Sequence, residues 1–409
     1  MWLFYSLAAL VLLQSLLSLR GGVRYFDFFR RGLDARRELY MPFASVFVPC
    51  RGLDQGLRSN LAALFLQHYP SYELVFISDH AEDPALAVAE SLAAEFEGQT
   101  VARVRFVVAG RAEHSGQKVH NLLAAIAETD ASSEVFVFVD TDARTRPDWL
   151  RSLVAPLADE AVGAATGYRW FLPVAGGFAS HLRSVWNASI ASALGPDVWR
   201  NFCWGGSTAI RRATFDQLNV LDEWRGALSD DYALTRALQR ENLAIKFVPA
   251  CLTASHEDCT WRELFEFTTR QLKITRVYAP RLWKIVLVSN AIFCAVCYGG
   301  ALVVARRAFS GQSFIIPLAL LALITLCGTL KAALRLRAVN LALAREGAHV
   351  PGVARLAHLT LWTLTSAIFL WNAVAAACSR RISWRGITYE MRSPTQTRVV
   401  SPPPPKESR

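Results

Sequence analysis

Val135-Phe136-Val137-Phe138-Val139 runs directly into Asp140-Thr141-Asp142. Five successive β-branched or aromatic residues with no polar face make a strand covered on both sides, as in a parallel sheet flanked by helices. Such a strand delivers two carboxylates, one residue apart, into the crevice beyond its carboxyl end. Two unpaired carboxylates are costly there. A hard divalent cation, Mg²⁺ or Mn²⁺, would neutralise them and bridge them to a diphosphate. The competing reading is a strand-ending turn in which Asp140 or Asp142 caps the next helix.

Outward from this strand the same alternation repeats. Short β-rich runs at 44–48, 73–78, 104–108 and 134–139 are separated by helix-like stretches at 59–67, 84–96, 117–128 and 147–157, so residues 40–283 read as one α/β domain. Ligands of such sheets bind beyond the carboxyl ends of the strands, where Asp79, Asp140 and Asp142 fall. Asp79 is placed to accept from a nucleobase or ribose, whereas nearby Asp83 reads as the cap of a helix opening at Pro84. Lys118, after Ser115-Gly116-Gln117, stands near a helix start that would welcome phosphate. Trp204-Gly205-Gly206-Ser207-Thr208 offers a compact loop where a sugar could approach the backbone. In Ser229-Asp230-Asp231-Tyr232, leading into a helix, Asp230 reads as cap or sugar contact, which leaves Asp231 as a general base.

The rest of the chain is apolar. Of 409 residues 53% are hydrophobic and 19% charged, and the net charge is +10. The basic residues cluster beside apolar runs and not along a polar face with interleaved aromatics, so the partner indicated is membrane lipid and not nucleic acid. Residues 1–20 form an anchor of spanning length, uncharged from Met1 to Leu19. Arg20, Arg24, Arg30, Arg31, Arg36 and Arg37 follow, which places this end of the domain in the cytoplasm. Further apolar runs at 285–305, 314–330 and 359–377 make 284–378 a membrane region, with an interfacial helix expected over 331–345. The Pro-rich tail, 392–409, is expected to be disordered. An anchor plus three later spans would put the C-terminus outside, yet Arg380, Arg381, Arg385 and Arg392 argue for inside; one non-crossing run would remove the conflict. The eight cysteines show no metal quartet, and Cys294 and Cys297 read as packing residues inside an apolar helix.

On Asp79, Gly116/Lys118/Asn121, Asp140-Thr141-Asp142, Gly205-Gly206-Ser207, Asp230-Asp231 and the Arg270 region, residues 1–390 resemble the inverting glycosyltransferases of family 2. They resemble most closely the ceramide glucosyltransferase-like family 21, with its bacterial hopanoid-associated members. The resemblance implies an A-type, nucleotide-diphosphate-sugar-binding domain with a mixed, mostly parallel sheet, plus N- and C-terminal transmembrane helices. It implies a divalent metal at Asp140 and Asp142 and base catalysis by Asp231. Donor contacts would come from Asp79, Lys118, Asp140, Gly206, Asp230, Arg270, Lys273 and Arg276. The expected reaction moves a hexose from a donor such as UDP-glucose to a lipid hydroxyl at the cytoplasmic face of the cell inner membrane. One departure stands out: the family's closing motif of Gln or Arg, two residues, then Arg-Trp falls on Arg270-Gln271-Leu272-Lys273-Ile274. Lys replaces Arg and Ile replaces the stacking Trp, with Arg276 available to take over diphosphate neutralisation. The loss of that Trp weakens the alternative of a processive polysaccharide synthase. A catalytically silent scaffold has no reason to keep so many buried carboxylates.

Overall fold

The computed structural model describes residues 1–34, 39–98, 101, 103–345 and 347–401. Arg36 and Arg37 of the basic run, and Pro402–Pro405 of the tail, lie outside the described residues. The chain forms two compact units. One comprises Gly32–Leu172, Ala193–Glu257 and Arg380–Arg409; the other comprises Met1–Arg31, Pro173–Ser192 and Asp258–Ser379.

The first unit is built on a seven-stranded sheet. Its strands are β1 (Ala44–Pro49), β2 (Tyr72–Ser78), β3 (Arg103–Val108), β4 (Val135–Val139), β5 (Val162–Leu172), β6 (Ser207–Arg211) and β7 (Ala244–His256), in spatial order β3-β2-β1-β4-β6-β5-β7. The first four are mutually parallel, β6 is antiparallel to both β4 and β5, and β5 is parallel to β7. All five residues of β4 are buried. Phe136 and Phe138 meet Phe47 with ring centroids 5.5 Å apart in each case, and Phe138 meets Trp224 at 5.3 Å. The crossover helices cover the sheet as the pattern requires. Helix Pro84–Glu95 opens with Asp83 accepting from Ala85 N and proline in its first turn, as read from the sequence.

Three features of the sheet unit depart from expectation. Residues 162–172, outside the expected strands, form the eleven-residue β5. Residues 392–401, expected without structure, close a second sheet of β8 (Arg381–Trp384), β9 (Ile387–Ser393) and β10 (Gln396–Ser401), all antiparallel. Alternating Thr397 and Val399 suit a strand, and the prolines begin only at 402. The domain read as 40–283 is also interrupted. Helices Phe178–Ala191 and Trp261–Tyr278 belong to the other unit, where Leu182, Trp186, Leu264, Leu272, Ile368 and Ala376 share one apolar cluster.

The second unit is helical. Among the described residues three helices are long and apolar enough to cross a membrane: Trp2–Asp34, Pro280–Phe309, and Ile315–Ala344. The second of these carries a π-helical turn at Ala295–Gly299. The third absorbs the separate interfacial helix expected over 331–345, because no glycine or proline breaks the stretch of helix formers after Leu330. The last apolar run is bent by 63° at Leu361, between Gly352–Thr360 and Trp362–Cys378.

Candidate active site

The antiparallel β6 assembles the site. Val139, the last residue of β4, pairs with Ser207, the first of β6, so the Trp204-Gly205-Gly206 turn sits beside Asp140 although it lies more than sixty residues further along the chain. β5 runs back toward the same edge and brings Arg169 there, and Ser255 near the end of β7 donates its hydroxyl to Asp142 O at 3.2 Å.

Lys118 is the hub. It lies in the first turn of helix Gln117–Ala127, and its Nζ is 2.8 Å from Asp140 Oδ1, 3.2 Å from Asp230 Oδ2 and 3.1 Å from Gly205 O. Burial works against its charge, but Asp140 and Asp230 outweigh this and push the ammonium above the ordinary lysine range. Both glycines of the turn are needed for this closeness. A Cβ on Gly205 would fall against Asp230 Oδ2 and 2.7 Å from Lys118 Nζ; one on Gly206 would strike the Trp204 ring and come within 2.7 Å of Asp140 Oδ2.

Arg169 forks over the acid pair, with Nη1 2.5 Å from Asp142 Oδ2 and Nη2 3.2 Å from Asp140 Oδ2. Its guanidinium also lies 4.9 Å from the Trp204 ring and 5.6 Å from that of Phe171. Burial would raise the Asp140 carboxyl, but Lys118 and Arg169 hold it below the ordinary carboxylate range. Asp142 goes the other way. Burial lifts it to about 6, Arg169 offsets part of this, and the charge of Asp140 adds to the rise. Its Oδ1 is buried without a hydrogen-bond partner. An orphaned carboxylate oxygen beside a second aspartate is the hard-oxygen donor set that Mg²⁺ or Mn²⁺ takes, so Asp140 and Asp142 fit a divalent cation. The alternative of a helix cap is not what the structure shows for them: helix Trp149–Val154 starts further on, and neither aspartate caps it.

At helix Asp230–Arg240 the cap is Ser229, whose side chain accepts from Tyr232 N, and not Asp230. Asp230 instead points at Lys118, and burial lifts its carboxyl to about 6 against the pull of that lysine. Asp231 is half-buried. Its Oδ1 accepts from Ser229 Oγ and, at 2.7 Å, from Tyr232 N, and its charge is felt at Lys118.

A second acidic group ends β2. Asp79 Oδ2 pairs with Arg51 Nη1 at 2.8 Å and Oδ1 with His80 Nδ1 at 2.8 Å. Burial raises Asp79, yet the His80 hydrogen bond and the Arg51 charge bring it below the ordinary range. Asp83, besides capping its helix, accepts from Gly52 N at 2.9 Å.

Sequence reasoning missed Arg51, Asp54, Arg169 and Arg385. Arg385, at the β8–β9 turn, makes a two-pronged pair with Asp54, both contacts at 2.7 Å, and Asp54 in turn accepts from Thr141 Oγ1 at 3.2 Å. Tyr389 accepts from Gln117 N at 3.3 Å. The one signal available was Arg169, a charge inside an apolar strand, which calls for a buried partner. Arg270, Lys273 and Arg276 lie on helix Trp261–Tyr278 of the helical unit. There the Arg270 guanidinium is 5.5 Å from the Phe267 ring and Arg276 Nη1 donates to Ala376 O at 2.5 Å.

A mixed, mostly parallel sheet with an Asp-x-Asp pair at its central strand and a diglycine turn beside it defines a glycosyltransferase of the A-type fold. The chain matches the model of glycosyl transferase family 21 over residues 3–397, and it belongs to that family. It is similar to the probable glycosyltransferase YdaM of Bacillus subtilis (strain 168), 24% identical over 274 residues, which are 65% of this chain and 63% of that protein. It is also similar to ceramide glucosyltransferase 1 of Caenorhabditis elegans, 22% identical over 249 residues, covering 59% of this chain and 52% of that one. The match thus spans less than two thirds of either relative. Among solved structures, mannosyltransferase PcManGT from Pyrobaculum calidifontis, in complex with GDP-Man and Mn²⁺, aligns over 91% of this chain and 98% of its own. The identity is 18% and the TM-score 0.46.

Proposed function

We propose that this glycosyltransferase moves a hexose from a nucleotide-diphosphate sugar, UDP-glucose or a close analogue, to the hydroxyl of a lipid at the cytoplasmic face of the membrane, with inversion at the anomeric carbon. The observation that carries the reading is the convergence on Lys118 of Asp140, Asp230 and the Gly205 carbonyl, with Asp231 next in the chain. Asp231 accepts the acceptor hydroxyl's proton as its oxygen attacks the anomeric carbon, and the nucleoside diphosphate leaves from the opposite face. Asp230, through Lys118, holds the donor side of the pocket, and Gly205-Gly206 lets the sugar lie against backbone. Asp79 and Arg51 bracket the nucleoside. Lys118 and Arg169 supply the fixed positive charge that an anionic leaving group requires. A Mg²⁺ or Mn²⁺ ion held by Asp140 and Asp142 would supply further neutralisation of the diphosphate. Arg270, Lys273 and Arg276 are assigned to the donor by family resemblance alone.

The lipid acceptor is supported by the three membrane-length helices and by the ceramide glucosyltransferase relative. The placement of β8–β10 in the same unit as the catalytic sheet supports an even number of crossings between Asp258 and Ser379. Pro280–Phe309 and Ile315–Ala344 then cross, and the pair bent by 63° does not. This reconciles the arginines after Cys378 with the positive-inside rule.

The test is incubation of the full chain with a panel of UDP-sugars, host lipids and divalent metals, with the product identified by mass. A single-sugar glycolipid supports the reading, and a polymer would replace it with a processive synthase. Tight metal-dependent UDP binding without any turnover would remove the transfer reaction.

A further inference from the structure

Helix Ile315–Ala344 carries Lys331 and Arg335 inward, one turn apart. Arg335 is only 5% exposed; its Nη1 donates to Ser192 Oγ at 3.3 Å, and its Nε has no partner. Among the described residues no carboxylate pairs with it. Tyr25, 5% exposed, and His181, 8% exposed, are buried in the same unit; the Tyr25 hydroxyl and His181 Nδ1 are likewise buried without partners. His358, on helix Gly352–Thr360, sets its Nε2 3.1 Å from Ser184 Oγ. Arg335 interacts electrostatically with both Tyr25 and His358, and His181 with His358, so the four form one cluster. Lys331 Nζ reaches Ser18 Oγ at 2.7 Å, across the point where Gly22 leaves room for the lysine stem.

Two cations, two imidazoles and a phenol thus lie in one helical unit, and among the described residues no carboxylate pairs with either Lys331 or Arg335. A guanidinium buried without a counter-charge is among the costliest groups a membrane helix can carry. The unpartnered atoms are all potential donors, which is what a group with several acceptor oxygens needs. Exposed Ile315, Ile316, Leu318, Leu323 and Leu326 on the same helix leave lipid as the neighbouring phase. Basic pockets between membrane helices suit anionic headgroups.

We propose that Tyr25, His181, Arg335 and His358 form a binding site for the phosphate of an anionic membrane lipid, with Lys331 at its edge. The site is independent of the acceptor reading, since it needs no turnover to be occupied. It is tested by thermal unfolding of the detergent-solubilised full chain supplemented with dioleoylphosphatidylglycerol, dioleoylphosphatidylcholine or inorganic phosphate, with bound lipid followed by native mass spectrometry. The anionic lipid should raise Tm by about 3 °C or more above the zwitterionic one, and Arg335→Met should abolish that gain while melting no lower than wild type in the zwitterionic lipid. Tyr25→Phe, a milder change, should weaken retention of phosphatidylglycerol without loss of fold. An equal gain from inorganic phosphate keeps the anion site and assigns it to the free ion. Equal Tm in the two lipids, or an undiminished gain in both variants, would overturn the proposal.

Discussion

Replacing Lys118 by Met keeps the length of the side chain and removes its charge. In the wild type that charge is shared by Asp140 and Asp230 at 2.8 and 3.2 Å, with all three side chains less than a quarter exposed. Removing one partner of a buried ion pair costs about 3–5 kcal/mol, because the remaining carboxylates are left uncompensated. At about 2–4 °C per kcal/mol for a domain of roughly 150–250 residues, Lys118→Met should melt about 6–20 °C lower in the absence of divalent metal. The pH dependence has a definite sign. Lys118 is raised above the ordinary lysine value, so its stabilisation is complete throughout the neutral range and cannot itself vary there. Asp230 already stands at about 6 with the lysine present and must rise further without it. The deficit should therefore shrink as pH falls from 7.5 to 5, because Asp230 takes up the proton that replaces the lost cation. The assay is tryptophan-fluorescence melting of the full chain in detergent with EDTA, at both pH values. A variant melting within about 2 °C of wild type at pH 7.5 would refute the hub role, as would a deficit that grows on acidification.

Asp231→Asn should leave UDP-sugar and metal affinity near wild type while lowering turnover at least about a hundredfold, the low end of general-base effects, as measured by UDP binding beside glycolipid formation. Wild-type kcat/KM should fall on the acid side of about pH 6 as Asp230 becomes protonated; a profile flat to pH 5 would show that its charge is not needed. Gly205→Ala, whose new methyl would fall against Asp230 and Lys118, should cost donor affinity at least tenfold in isothermal titration, or else that loop is not part of the donor pocket. Arg385→Ala, which frees Asp54 beside Thr141, should weaken metal and donor binding more than Arg385→Lys does, a difference that equilibrium binding would reveal. Tags at Leu39 and after Arg409 should be protected or modified together in sealed vesicles, and opposite accessibility would rule out the even-crossing topology.

The local chemistry was legible in the residues themselves. Strand β4 announced itself because five apolar β-formers in a row have no alternative burial, and the aspartates after it could then lie only at its carboxyl end. Asp83 before Pro84 was readable as a cap because capping is settled within three residues. What the residues could not reveal was anything depending on strand order. The antiparallel insertion of β6 beside β4 places Gly205 against Lys118, and the return of β5 turns Arg169 from a charge in an apolar stretch into the clamp on Asp140 and Asp142. Ser229, and not Asp230, proved to be the cap only once helix Asp230–Arg240 had a defined first turn. The fate of residues 380–401 was likewise hidden, since a short amphipathic meander gains its stability from the surface it docks on: Tyr389 on Gln117, and the Thr395 carbonyl against Gly226. Local sequence sets backbone preference and the burial of neighbours within a few residues. Contacts between residues tens to hundreds of positions apart are fixed only by the register and order of the sheet that brings them together.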